Sequence, residues 1–279
     1  MAQSKKKPAK ARAREEMRQA ARQEAERLKA EQAAKARRRT IIWTSIGLAV
    51  AVVAAVVVIL ALQSTNQQSY GSVAKPLGAE DSGSIAVGQD LKPGGAPASG
   101  SDVVVVRVYS DYMCPGCASV ERRLGGKLED LAAAGEIKLE LQSVSFLDRL
   151  SQGTEYSTRA ANASATIAAL APEQYLAFHS KLYETEIQPA ENSEGLSDER
   201  LIELAQEVGV PEDVTSQFAD RKYADWVEYA TSKAQAQPVE TTPSIWIGPS
   251  DSRLTLIANP GTVDLDEAVA KVRAGEDPN

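Results

Sequence analysis

Twenty-two consecutive uncharged residues, IIWTSIGLAVAVVAAVVVILAL from Ile41 to Leu62, constrain this chain more than any other feature of it. As a helix the run spans about 33 Å at ~1.5 Å per residue, enough to cross a bilayer. A secretory leader carries a shorter apolar stretch, about 7–15 residues, behind a brief basic segment. Here a 39-residue tail comes first, so residues 40–62 read as an uncleaved transmembrane helix. Lys35, Arg37, Arg38 and Arg39 abut its amino-terminal end, and no Lys or Arg follows until Lys75. That asymmetry places the amino terminus in the cytoplasm and everything after Leu62 outside it.

The apolar run separates regions of opposite charge. Residues 1–39 hold 14 basic and 5 acidic side chains, whereas the rest of the chain holds 17 and 33, so the overall net charge of −7 describes neither part. The tail is rich in Ala, Glu, Arg and Lys but has only Met17 and Leu28 as sizeable apolar residues. It reads as a solvated cytoplasmic segment that sets topology and meets anionic head groups. Nucleic-acid binding is not expected, because acidic residues interleave and no aromatic side chain is present to stack on bases. Residues 63–100 are crowded with Gly, Ser, Pro, Gln and Asn, the composition of a flexible extracytoplasmic linker. Within them Ser84–Val87 has the character of a short edge strand. Residues 101–279 suffice for one folded domain with its own core.

Inside that domain the pattern is α/β. Asp102–Tyr109 is a β-branched run of strand length, continuous enough to be buried on both faces. Helical spacing follows from Cys114 to about Ala134, with Gly125-Gly126 as a kink or break. Ile137–Phe146 alternates apolar and polar residues as a second strand does. From about 148 to 237 the pattern is mostly helical, over Tyr156–Leu170, Glu173–Glu184, Asp198–Val208 and Val214–Lys233. Strand character returns at Ser244–Ile247 and Leu254–Ile257, before a closing amphipathic helix over Leu265–Val272.

Cys114 and Cys117 are the only cysteines and His179 the only histidine. A disulfide-stapled scaffold is excluded, and so is a zinc site of four cysteines, or of two cysteines and two histidines, within one chain. Their spacing at a helix start favours redox chemistry. A thiol in the first helical turn faces unpaired backbone N–H groups and the positive end of the helix dipole, both of which favour thiolate. Cys114 is thus the attacking sulfur. Pro115 suits the first helical position, having a fixed φ and no N–H to leave unpaired. Cys117 lies one turn inward, able to resolve a mixed disulfide at Cys114 or to form the internal bridge. The alternatives are a half zinc site shared between chains and a structural clip.

YSDYMCPGC (Tyr109–Cys117), followed far downstream by TTPSIWIG (Thr241–Gly248), resembles the DsbA-like branch of the thioredoxin superfamily over about residues 101–275. The resemblance implies a thioredoxin-like fold with an inserted helical domain. It implies thiol–disulfide exchange through the Cys114–Cys117 couple with no further cofactor. It also implies a cis-proline loop opposite the cysteines, in which Thr242 and Pro243 dock a substrate peptide. The membrane-anchored form is similar to the extracytoplasmic oxidoreductases of actinobacteria. The implied partners are unfolded or thiol-bearing secreted proteins and a membrane reoxidase of the DsbB or vitamin K epoxide reductase type. Tyr112 is a candidate substrate contact; it and Tyr109 flank the active helix as groove-lining or as core residues. Departures bear on direction: Pro115-Gly116 replaces the His that strongly oxidising relatives carry between the cysteines. Val108 stands where some relatives keep a buried carboxylate. Asp111 reads as a turn or cap residue and His179, in LAFHSKLYE, as a packing residue. Oxidation of clients is the favoured activity; a reductase or isomerase, or a non-catalytic tethered client-binding module, are the alternatives.

Overall fold

The structure, a computed structural model, describes residues 73–98, 100, 103–249 and 253–279. The basic tail, the apolar run over 40–62 and the start of the linker fall outside the described residues. Among the described residues no helix is long and apolar enough to cross a membrane.

In chain order the elements are β1 (Ile85–Val87), β2 (Val104–Ser110), α1 (Pro115–Ala133), β3 (Ile137–Ser143), α2 (Tyr156–Leu170), α3 (Tyr175–Lys181), α4 (Asp198–Glu207), α5 (Glu212–Thr215), α6 (Ala224–Gln235), β4 (Ser244–Gly248), β5 (Thr255–Leu256) and α7 (Leu265–Arg273). The strands form one sheet in the order β1-β3-β2-β4-β5. Among the described residues only β2 and β3 are parallel, Val104 opposite Ile137, and α1 is the crossover that parallel neighbours require. Four valines make β2 stiff and extended, and all seven of its residues are buried. On one face Val104, Val106, Val108, Ile245 and Ile247 share a core with Val120, Leu124 and Leu128 of α1 and Leu265, Val269 and Val272 of α7. The opposite face lies against α6, where Gln142 Nε2 donates to the Ala230 carbonyl at 2.7 Å. Helices α2 to α6 all fall between β3 and β4.

Three sequence expectations need correction. Residues 73–98 are not a free spacer: Ile85–Val87 pairs antiparallel with the outer edge of β3, and Ile85, Ala86, Val87 and Ala98 are buried. The turn-forming composition there serves tight reversals such as Gly83 N–H to the Glu80 carbonyl at 3.0 Å and Leu91 N–H to that of Gly88 at 2.9 Å. Strand β3 forms where its alternation places it, with the polar Glu140 fully buried and paired at 2.6 Å with Arg107 and at 2.8 Å with Lys138. Helix α1 runs unbroken through Gly125-Gly126. The helix expected over Val214–Lys233 is interrupted, with Arg221 in the left-handed region at φ 48°. The cause is Asn162, buried in α2, whose amide donates to the Phe218 carbonyl at 3.1 Å and accepts from Tyr223 N–H at 3.0 Å.

Candidate active site

Strand β2 ends at Ser110, and a turn closed by Cys114 N–H to the Asp111 carbonyl at 3.0 Å leads into α1. Cys114 is the N-cap of α1, in extended conformation with φ −81° and ψ 116°, and Pro115 opens the helix. The cap position leaves the helix's first N–H groups facing the sulfur, which a thiolate can accept and an aliphatic side chain could not. Both cysteines are free thiols and both are buried, Cys114 at 6% exposure and Cys117 at 2%.

Their acidities diverge. The hydrogen bond from Cys117 is the largest of the influences that bring Cys114 down to about 6; burial opposes it, and the N–H groups of Cys117 and Gly116 add to it. Burial pushes Cys117 well up, with the neighbouring Cys114 as the next cause. One sulfur is therefore ionised near neutrality while the other stays protonated beneath it, its Sγ 3.4 Å from the Asp111 N–H.

Thr242 and Pro243 meet the cysteines from the loop before β4, and the peptide bond between them is cis. Cys114 Sγ lies 3.4 Å from the Thr242 carbonyl oxygen, a contact the thiol makes as donor and the thiolate cannot. Gly116 allows this approach: a Cβ there would sit 3.0 Å from Pro243 Cδ. From the other side, the Gln188 amide donates to the Cys114 carbonyl at 2.7 Å. No motif marked Gln188, because its loop reaches the site only through the packing of the helical block.

The remaining candidates lie deeper. Asp111 is fully buried and accepts from Met113 N–H and Leu147 N–H, each at 2.9 Å, and from Ser157 Oγ at 2.6 Å. It ties the pre-helix turn to the chain after β3, and burial pushes its carboxyl up to about 7 against those donors. Val108 occupies the apolar core, as its type requires. Tyr112 is corrected: it is fully buried and cannot line a groove. Its ring stacks on Tyr183 at 5.2 Å, and its hydroxyl meets Ser164 Oγ and His179 Nδ1, each at 2.9 Å. His179 is more than packing. It joins Tyr112 to Glu121 of α1, whose Oε2 lies 3.5 Å from Nε2. The sequence signal for this was present, an acid and a histidine each on a helix, but nothing in their spacing shows that they meet.

Comparison with known proteins agrees with this geometry. A family model described as thioredoxin matches residues 97–253. The oxidised crystal structure of DsbA from Mycobacterium tuberculosis is similar at 27% identity and a TM-score of 0.53, covering 68% of this chain and 92% of that one. MdbA from Actinomyces oris, a thiol-disulfide oxidoreductase, shares the fold at 22% identity and a TM-score of 0.55, covering 75% of this chain and 93% of that one. BdbD from Bacillus subtilis does so at 23% and 0.56, covering 73% and 100%. Among curated proteins, serine/threonine-protein kinase PknE of Mycobacterium tuberculosis is 32% identical over 106 residues, which is 37% of this chain. The match spans only 19% of that kinase's length.

Proposed function

This chain belongs to the thioredoxin family, in its DsbA-like branch, and from that premise we propose that it is a membrane-anchored thiol–disulfide oxidoreductase that introduces disulfides into proteins outside the cytoplasm. The single observation that carries the reading is the placement of the two sulfurs: Cys114 at the N-cap of α1, 3.4 Å from the carbonyl of the Thr242–Pro243 loop, with Cys117 buried behind it in the first turn. In the oxidised enzyme a client thiolate attacks Cys114 Sγ, and the Cys114–Cys117 bond breaks with its electron pair going to Cys117, which takes up a proton. A second client thiolate then attacks the client sulfur of the mixed disulfide, and Cys114 leaves as thiolate. Two electrons pass from client to enzyme, and the client gains its bridge. An acidic Cys114 is the better leaving group and stabilises the reduced enzyme, so exchange is driven toward client oxidation. In the oxidised enzyme Cys114 has no proton to donate to the Thr242 carbonyl, so that oxygen is free to accept an N–H of an extended client segment. Residues 40–62 supply the anchor, and a membrane oxidase of the DsbB or vitamin K epoxide reductase type restores the disulfide.

With Cys114 brought down, the couple should be more oxidising than that of thioredoxin, about −270 mV. Equilibration with glutathione and dithiothreitol buffers measures this; a value at or below that of thioredoxin would turn the reading to a reductase. A Cys117→Ala variant expressed in full length should accumulate mixed disulfides with extracytoplasmic proteins in the membrane fraction, lost in Cys114→Ser. No trapped adducts, together with a Cys114 that alkylates as an ordinary thiol, would refute the enzymatic reading altogether.

A further inference from the structure

Behind the redox helix lies a charged pair that thiol exchange as described does not use. His179 on α3 is 2% exposed, with Nδ1 2.9 Å from the Tyr112 hydroxyl and Nε2 3.5 Å from Glu121 Oε2. The Tyr112 hydroxyl donates its one proton to Ser164 Oγ. With its proton so placed, the phenol oxygen is left to accept from Nδ1, while Nε2 faces a carboxylate that favours a proton there as well. Both ring nitrogens protonated means an imidazolium. The carboxylate is equally well provided for. Ser180 Oγ donates to Glu121 Oε1 at 2.7 Å, and a Cβ on Gly125 would lie 2.5 Å from that same oxygen. Gly125 is thus the space into which the Glu121 carboxylate turns. The ion pair is built from the pre-helix turn, α1, α2 and α3 together.

Its position on α1 gives it a chemical consequence. Glu121 follows Cys117 by four residues, one helical turn along the same face. It follows Cys114 by two turns, roughly 10 Å at the helical pitch. A lone buried carboxylate at that distance disfavours a second negative charge roughly tenfold at an effective dielectric constant of ~20. Paired with an imidazolium, it presents no net charge to either sulfur. The other groups around His179 do not replace it: Tyr175 and Tyr183 contact its ring as neutral phenols, and Glu129 on α1 only adds negative charge.

We infer that His179 is a positioning residue for the thiol chemistry, neutralising Glu121 on the redox helix and holding Tyr112 in the turn that leads to Cys114. The inference rests on the oxidoreductase reading and adds to it the compensation of a carboxylate that would otherwise oppose ionisation of Cys114.

The test reads the pH profile of Cys114 alkylation in the reduced full-length protein and its His179→Gln, Glu121→Gln and doubly substituted forms. His179→Gln leaves the carboxylate uncompensated, so alkylation at pH 6 should slow about fivefold, the profile moving to higher pH. Glu121→Gln should be no slower than the parent, and the double variant should return to within about twofold of it. A purely architectural role predicts the opposite: both single variants slowed, and the double at least as slow. Either that pattern or a His179→Gln profile equal to the parent's overturns the inference. Should His179→Gln not fold, Glu121→Gln decides alone, since slowing there contradicts the charge argument. A parent protein without an acidic Cys114 would sink the oxidoreductase reading instead, so the two failures are distinguishable.

Discussion

At the scale of single residues, reactivity follows from which hydrogen-bond donors surround each sulfur. Cys114 at the cap of α1 receives the side chain of Cys117 and backbone N–H groups, and Cys117 sits in an apolar bed with one weak N–H contact. Alkylation of Cys114 should therefore run about tenfold faster at pH 7 than at pH 5, following a group half-ionised near 6, while Cys117 stays unmodified; peptide mass spectrometry after a timed iodoacetamide pulse measures both. Gly116 and Gly125 belong at this scale too, because each is explained by an atom that occupies the space of its missing Cβ: Pro243 Cδ for the first, the Glu121 carboxylate for the second.

At the scale of elements, α1 is held at both ends of the active site by other parts of the chain. Gln188 fixes the Cys114 carbonyl, and the Glu121–His179 pair joins α1 to α3 one turn beyond Cys117. The pair has a defined pH signature. Burial works against the charge on His179, but Tyr112 and Glu121 outweigh it and hold the group up at about 10, above its ordinary 6.5. A raised histidine contributes stability that is complete below about 6.5 and is lost as pH rises through its folded value. Glu121 is lowered: burial would raise it, but the charge of His179 prevails, so its share is present above its ordinary 4.5 and is lost in acid. The difference in unfolding free energy between the parent and His179→Gln should accordingly be largest between about pH 5 and 6.5 and shrink toward pH 10. Urea titrations across that range measure it; a difference constant with pH would mean that the pair is not ionised.

At the scale of the whole molecule, the sheet is completed by chain that precedes the α/β pattern. β1 covers the outer edge of β3, and Ser84 Oγ donates to Glu140 at 2.9 Å within the buried Arg107–Glu140 cluster. Removing residues 73–98 exposes a strand edge and strips one partner from a buried carboxylate, at a cost of about 1–3 kcal/mol for the hydrogen bond alone. A fragment beginning at Asp102 should melt lower and self-associate where one beginning at Val73 does not. Thermal unfolding and size-exclusion chromatography on the two forms test this; equal behaviour would show that β1 is dispensable.

Much of this was legible from residue order alone. The strand-helix-strand sequence around the cysteines, the helical block and the return to strand at Ser244 follow from periodicity and turn residues, which are local properties. So does the redox pair, because the chemistry of Cys114 arises from its own helix. What local pattern could not decide was which face each polar residue met. Gln142 and Glu140 alternate as solvent-facing positions would, and are buried because α6 and Arg107 satisfy them. Tyr112 borders the redox motif in the chain yet turns inward, and His179 and Glu121 lie 58 positions apart. Helix and strand are chosen by neighbours a few residues away; a buried charge becomes affordable only where folding brings its counter-charge and donors from distant segments into contact, and that was left to the tertiary structure.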